Sequence, residues 1–342
     1  MKRFAFALGT DFMFHGEEKI KKMIEKSAFD MTILVIKLGA LGDFIVADAA
    51  FSAICKRHGR DKKILLTTPA FADFAKKLGY FDEVVAFPRF SFFDLSAWRE
   101  LLSWFRNLEV THVYDLQMVN RTHYYFYAFK MVARRSFEWV GHVKCSPYCL
   151  EDHYFKKHPM ERFARLLSKV NLELPPLDIR RLGEKITIEG LSQPYALMVP
   201  NASNAFHGAK KWPLAQYQKL AIWLTEKGYD VVVIGGKDDD HALLRANEKI
   251  FDLTGKTSLE QVIFLSQNAA FAVGNDTGPI HMAAASLCPV FVLFSKKAPP
   301  AEQVGARGPL YYHKTAEDLQ NLTFEDIKAE LELFILKTSK IE

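Results

Sequence analysis

Cysteine is scarce: the chain of 342 residues has 4. They are too few and too scattered for a disulfide framework. The C-x3-C pair of Cys145 and Cys149 has no second pair near it, so a thiolate zinc site is not expected. No apolar run reaches the length that crosses a bilayer. Met1-Lys2-Arg3 before Phe4-Ala5-Phe6-Ala7-Leu8 starts like a signal peptide, but the apolar stretch breaks at Thr10-Asp11 and no cleavage site follows. These absences lead to the expectation of a cytoplasmic protein in a reducing compartment. Two nucleotide motifs are absent from the first strand-to-helix turn, which has neither G-x-G-x-x-G nor a P-loop Gly-Lys-Ser/Thr. No nucleic-acid recognition motif occurs, and no nucleic-acid partner is expected.

What is present is the composition of a soluble globular protein, 49% hydrophobic and 25% charged. The length allows two domains of ordinary size. Charge is unevenly placed: residues 31–180 hold 22 Lys and Arg against 16 Asp and Glu, whereas residues 181–342 hold 17 against 19. The first half therefore suits an acidic partner.

Strand-like and helix-like segments alternate in both halves. Thr32 to Ile36 reads as a buried parallel strand, and Phe44 to Arg57 as a helix after the turn Lys37-Leu38-Gly39-Ala40-Leu41-Gly42-Asp43. Further strands are expected at Lys63–Thr67, Val84–Phe87 and His112–Leu116, with helices at Pro69–Leu78, Leu95–Leu108, Thr122–Arg135 and Met160–Val170. The segment from Leu174-Pro175-Pro176 to about Pro194 reads as a linker. The alternation restarts with Tyr195–Val199, a helix opened by Pro213, Val231–Ile234, and a last strand Val290–Phe294. Phe324 to Lys337 reads as a terminal helix. Residues 1–30 carry little pattern beyond a short charged helix at Glu17–Lys26, and a chain starting at Met31 is expected to be soluble and active. Together this predicts an α/β protein with two doubly wound domains facing a cleft.

One stretch concentrates chemistry. Asn275-Asp276-Thr277-Gly278-Pro279-Ile280-His281 joins an apolar strand to a tight helix. Thr277 or Asp276 is placed to cap that helix, Pro279 suits its start, and Gly278 lets the backbone approach a ligand. Free amides and the helix dipole there make an anion site, with His281 nearby. Asp43 sits at the mouth of the first strand-to-helix turn, where it is either a helix N-cap or a general base at the carboxyl edge of a sheet.

The chain resembles glycosyltransferase family 9, the heptosyltransferases of the lipopolysaccharide inner core. Four blocks carry the resemblance in order: Ile36-Lys37-Leu38-Gly39-Ala40-Leu41-Gly42-Asp43; Lys210-Lys211-Trp212-Pro213; Gly235-Gly236 with Asp238-Asp239-Asp240; and Leu253 to Leu259 running into Gly274 to His281. Ser295-Lys296-Lys297 departs from the Gly-Pro-Thr/Ser that the family usually has after its last strand.

The resemblance implies a GT-B fold: an acceptor-binding domain at 31–180, a nucleotide-sugar domain at 181–323, an extension at 1–30 and a terminal helix at 324–342. It implies metal-independent, inverting transfer of a sugar, heptose from ADP-heptose, with no further cofactor. Asp43 matches the catalytic base. Lys210, with Lys211 as the near alternative, matches the phosphate-binding lysine. Thr277 and Gly278 supply amides to the phosphates, Ser203 a hydroxyl, and Asp239 a carboxylate for the ribose. Asp276 caps the helix or bonds a donor-sugar hydroxyl. The expected partner is an acidic glycolipid acceptor, with Lys37, Arg121, Arg134 and Arg135 as its contacts and the cytoplasmic face of the inner membrane as its place. A sugar-nucleotide 2-epimerase and a non-catalytic nucleotide-sugar binder are the alternatives.

Overall fold

The structure, a computed structural model, describes residues 31–239 and 247–338. The expected helix at Glu17–Lys26, Asp240 of the acidic run and the last residues of the chain lie outside the described residues.

The first half alternates as the apolar runs predict. It comprises β1 (Thr32–Ile36), α1 (Leu41–Val46), α2 (Asp48–Arg57), β2 (Lys62–Thr67), α3 (Pro69–Lys77), β3 (Glu83–Ala86), α4 (Leu95–Asn107), β4 (His112–Asp115), α5 (Asn120–Val132), β5 (Glu138–Gly141), β6 (Tyr148–Cys149) and α6 (Pro159–Ser168). The second half has β7 (Tyr195–Val199), α7 (Leu214–Glu226), β8 (Asp230–Val233), β9 (Ile250–Asp252), α8 (Leu259–Asn268), β10 (Phe271–Asn275), α9 (Gly278–Ala285), β11 (Val290–Ser295), α10 (Ala301–Val304), β12 (Tyr311–Ala316) and α11 (Phe324–Thr338).

Each half builds one six-stranded sheet, ordered β3-β2-β1-β4-β5-β6 and β9-β8-β7-β10-β11-β12. Neighbouring strands run parallel throughout. In both sheets the order reverses beside the first strand, between β1 and β4 and between β7 and β10. Ligands of doubly wound folds bind outside the carboxyl ends of the strands at that reversal. Central strands such as Thr32–Ile36 and Tyr195–Val199 are buried almost end to end, which is why they read as continuous apolar runs. The architecture is the two-domain GT-B arrangement.

Two local expectations change. The expected helix Phe44–Arg57 starts earlier and divides at Ala47 into α1 and α2. The N-cap of α1 is Ala40, so Asp43 lies inside the first turn. The capping role for Asp43 is thereby removed.

The domains meet through α1 and α9. A Cβ placed on Gly278 would lie 2.7 Å from Leu41 Cδ2, and one on Gly42 would lie 2.8 Å from His281 Cδ2. Each helix thus has a glycine where the other's side chain presses in. The ion pair of Arg181 with Asp48 at 2.8 Å and that of Lys77 with Glu260 at 3.0 Å flank this contact. His158 Nε2 donates to the Gly305 carbonyl at 2.9 Å, and burial pushes its pKa down to about 3, which keeps it neutral.

Gly278→Val is expected to force α1 and α9 apart and to lower stability by about 1–3 kcal/mol, the usual range for overpacking. Adding Leu41→Ala should restore part of the loss in thermal unfolding. A Gly278→Val chain that melts like the wild type would remove this account of the glycine.

Candidate active site

The carboxyl ends of β7, β8, β9 and β10 surround a cavity of about 440 Å³. Its walls come from Asn201–Ser203, Gly235–Lys237, Asp239, Gly255, Thr257 and the start of α9, and Leu41 reaches it from the other domain. Asp239 is held at its edge: Oδ2 accepts the Gly236 amide at 2.7 Å, and Oδ1 accepts from the Asn201 side chain. Ser203 and Thr277 also line the cavity. Lys237 and Thr257 line it too; neither was named as a site residue from the sequence, although Thr257 lies inside the block Leu253 to Leu259.

Beside this cavity lies a buried polar group. Lys210 Nζ contacts Asp276 Oδ2, and His281 Nε2 lies 3.3 Å from Asp276 Oδ1. Burial alone would raise the Asp276 carboxyl, but His281 and Lys210 outweigh it and hold it below its ordinary value. His281 Nδ1 is buried without a hydrogen-bond partner among the described residues. Asp276 is therefore not the helix cap. Thr277 holds the N-cap position of α9, yet its side chain makes no capping bond. The backbone at Gly278 is approached by Leu41, where the sequence suggested only a ligand.

The loop bearing Lys210 is fixed from behind. Trp212 is buried and donates from Nε1 to the Leu322 carbonyl at 2.8 Å. Asn275, fully buried at the end of β10, accepts the Trp212 amide at 3.2 Å and donates to the Pro200 carbonyl at 2.6 Å. With Trp212 anchored, Lys210 turns towards Asp276. Lys211 instead lines a separate depression with Phe206, His207, Lys297, Asp318 and Gln320. The structure thus puts Lys210, and not Lys211, beside the start of α9.

Across the cleft, Asp43 is half-buried in the first turn of α1. Lys37, at the carboxyl end of β1, is only 3% exposed. Burial lowers its pKa, opposed by the charges of Asp43 and Asp115 and assisted by Arg162 and Arg89. Arg162 on α6 is also lowered by burial and raised by Asp43, and its Nε is buried with no partner among the described residues. Lys37, buried, and Arg162, half-buried, are thus cations that feel the charge of Asp43. Lys37 was among the residues expected from the sequence and Arg162 was not, because nothing in α6 marks one of its two arginines over the other.

The other basic candidates divide. Arg121, at the start of α5, donates to the Phe90 carbonyl at 3.0 Å and stays at the carboxyl edge of the sheet. Arg134 and Arg135 follow the end of α5. A helix returning from a parallel strand ends at the opposite edge, so these two lie away from the cleft, and Arg135 pairs with Glu109 at 3.6 Å. Their assignment to the acceptor site is corrected on that ground.

Asp115, at the end of β4, is fully buried, and burial pushes its carboxyl up to about 6. Oδ1 accepts the amides of Gln117 at 3.1 Å and Met118 at 2.9 Å, while Oδ2 has no partner among the described residues. A raised carboxyl favours the folded state most at low pH and loses that contribution as pH rises through about 6. Asp115→Asn keeps an accepting oxygen without the charge. Its Tm relative to the wild type is therefore expected to improve between pH 4 and pH 7, by about 1–3 kcal/mol in stability. Parallel pH profiles would contradict the buried charge.

Among the described residues no group of three or more His, Cys, Asp or Glu side chains is placed to hold a metal ion. No described helix is long and apolar enough to cross a membrane.

A model of the family described as Glycosyltransferase family 9 (heptosyltransferase) matches residues 84–307. Lipopolysaccharide heptosyltransferase 3 of Escherichia coli is 28% identical over 137 residues, covering 38% of this chain and 39% of that protein. Lipopolysaccharide heptosyltransferase 2 of Salmonella typhimurium is 34% identical over 102 residues, covering 28% of this chain and 29% of that protein. The chain thus matches about two fifths or less of the length of these curated relatives. Among solved structures, Escherichia coli heptosyltransferase WaaC with ADP superimposes with a TM-score of 0.68 at 18% identity, covering 89% of this chain and 100% of that one. At that identity the likeness speaks for the fold.

Proposed function

Because the chain belongs to glycosyltransferase family 9, we propose that it is an inverting, metal-independent glycosyltransferase that moves heptose from ADP-heptose onto an acidic acceptor of the lipopolysaccharide core. The names of the relatives supply heptose and lipopolysaccharide, and the ADP of the like-folded Escherichia coli enzyme supplies the nucleotide. The observation that carries the reading is the meeting of two helix starts across one cleft. Asp43 stands in the first turn of α1, and Lys210 and Asp276 stand at the start of α9, with Leu41 packed on Gly278 between them.

In this reading residues 31–180 hold the acceptor and residues 181–323 hold the donor. The nucleoside occupies the cavity of about 440 Å³, with Asp239 accepting from the ribose hydroxyls and Ser203 at the phosphates. The diphosphate takes the amides of Thr277 and Gly278 and draws Lys210 away from Asp276. Asp276 keeps His281 and accepts from a hydroxyl of the donor sugar. Asp43 removes the proton from the acceptor hydroxyl while that oxygen attacks the anomeric carbon. The bond from that carbon to the diphosphate oxygen breaks on the opposite face, and ADP leaves with the electron pair. Lys210 and the start of α9 stabilise the growing charge. Lys37, a cation with little water around it, and the half-buried Arg162 attract the carboxylates or phosphates of the acceptor. The reaction belongs to the cytoplasmic face of the inner membrane.

The test is ADP binding followed by turnover. ADP at about 100 times its dissociation constant should stabilise the chain by roughly 2.7 kcal/mol. ADP release from ADP-heptose should then depend on added acceptor. Absence of ADP binding, or release of ADP at the same rate without acceptor, would overturn the reading.

A further inference from the structure

Helix α5 is apolar on two faces. Tyr125, Phe126 and Phe129 point into the core. On the opposite side Tyr124, Tyr127 and Met131 are 48%, 58% and 71% exposed. They follow the three- and four-residue spacing of one helical stripe. A surface helix usually has a polar outer face, and α5 does not. The stripe continues into the loop before α4: Phe92 lies with its ring 4.8 Å from that of Tyr124, and Phe93 beside it is 86% exposed. The loop follows the carboxyl end of β3 and α5 begins after β4, so the stripe starts at the mouth of the cleft. It runs down the acceptor domain for the length of α5, about 20 Å at 1.5 Å per residue.

The segment that carries this stripe is basic. From Leu116 to Phe137 the sequence contains no Asp or Glu, and it carries Arg121, Lys130, Arg134 and Arg135. Arg134 and Arg135, which lie away from the cleft, fall at the far end of the stripe. Aromatic and methionine side chains standing out from a helix that carries cations and no carboxylate of its own match a membrane interface, although Asp94 follows Phe93 at one end and Glu109 pairs with Arg135 at the other. Aromatic rings partition there, and basic side chains meet anionic headgroups.

We propose that the outer face of α5 and the Phe92–Phe93 loop dock the chain on an anionic lipid bilayer. Docking there sets the opening of the cleft beside the membrane, within reach of a lipid-borne acceptor. The inference deepens the transferase reading and rests on it only for the acceptor's being lipid-borne.

The experiment is co-sedimentation with vesicles of phosphatidylethanolamine and phosphatidylglycerol, and separately with vesicles of phosphatidylcholine alone. The wild-type chain is expected to pellet with the anionic vesicles, to pellet far less with phosphatidylcholine, and to be released by salt. Phe93→Ser with Met131→Ser should weaken binding at least tenfold, and Lys130→Ser should weaken it and flatten the salt dependence. All three positions are exposed, so Tm and ADP affinity should stay at wild-type values. Wild-type chain left in the supernatant of anionic vesicles would overturn the proposal. So would undiminished binding by the Phe93→Ser, Met131→Ser chain. A wild-type dimer in light scattering that this pair of substitutions dissolves would assign the stripe to a second copy instead. If vesicles bind but ADP does not, the transferase reading falls and the docking surface stands.

Discussion

Asp43→Asn is expected to bind ADP as the wild type does and to lose about 10²–10⁴-fold in turnover, the usual cost of removing a general base. The side chain keeps its volume and place in the first turn of α1, so the geometry of the cleft is preserved. A carboxylate near a helix start adds only about 0.3–1 kcal/mol through the dipole. Capping cannot explain any larger effect, because the N-cap of α1 is Ala40. The substitution does take a negative charge from two cations, the buried Lys37 and the half-buried Arg162, whose ionisation Asp43 supports. A modest fall in Tm is therefore expected alongside the loss of rate. The two effects separate by measurement: turnover below the melting range reports the base, and Tm reports the charges. Turnover within a fewfold of wild type would leave Asp43 as an electrostatic partner of Lys37 and Arg162 and would remove the proposed proton transfer.

Much of this was legible in the sequence because buried parallel strands are written as continuous apolar runs. Thr32–Ile36, Tyr195–Val199 and Val290–Ser295 announce themselves in this way. Strands without that signature were not read. β6 has only two residues, and β12, Tyr311–Ala316, is half-exposed along most of its length at the edge of its sheet. The site residues divide on a similar principle. The loop of Lys210 is marked in the sequence by Trp212 and Pro213, although the sequence could not say which of two adjacent lysines turns towards Asp276. That choice depends on Asn275 and Leu322 holding Trp212, contacts made across many residues of chain. Gly42 and Gly278 stood out as glycines, but the partner each one admits lies in the other domain. Arg134 and Arg135 were misplaced for a reason open to correction from the start. A helix that follows a parallel strand carries its last residues to the edge away from the ligand.

Lys210→Ala is expected to lower turnover by about 10²–10³-fold, the cost of removing one group that stabilises developing charge, while weakening ADP much less. The asymmetry follows from the partner Lys210 has before any donor arrives. Its ammonium is held by Asp276, and both side chains are largely shielded, 16% and 5% exposed. A diphosphate that recruits Lys210 must first break this pair, so part of the ground-state attraction is offset. During bond cleavage the negative charge on the leaving diphosphate grows, and the lysine's contribution grows with it. Alanine also leaves Asp276 buried with only His281 to balance it, which is costly for a carboxylate. Some loss of Tm is therefore part of the expected result. Lys211→Ala is the control, because Lys211 faces the separate depression beside Lys297 and Asp318 and should leave both ADP affinity and rate near wild type. Calorimetry with ADP and steady-state turnover on the two variants decide the matter. Equal losses in affinity and turnover for Lys210→Ala would make the lysine a plain binding group. No loss in either would put the diphosphate elsewhere in the cleft and take away the anion site at the start of α9.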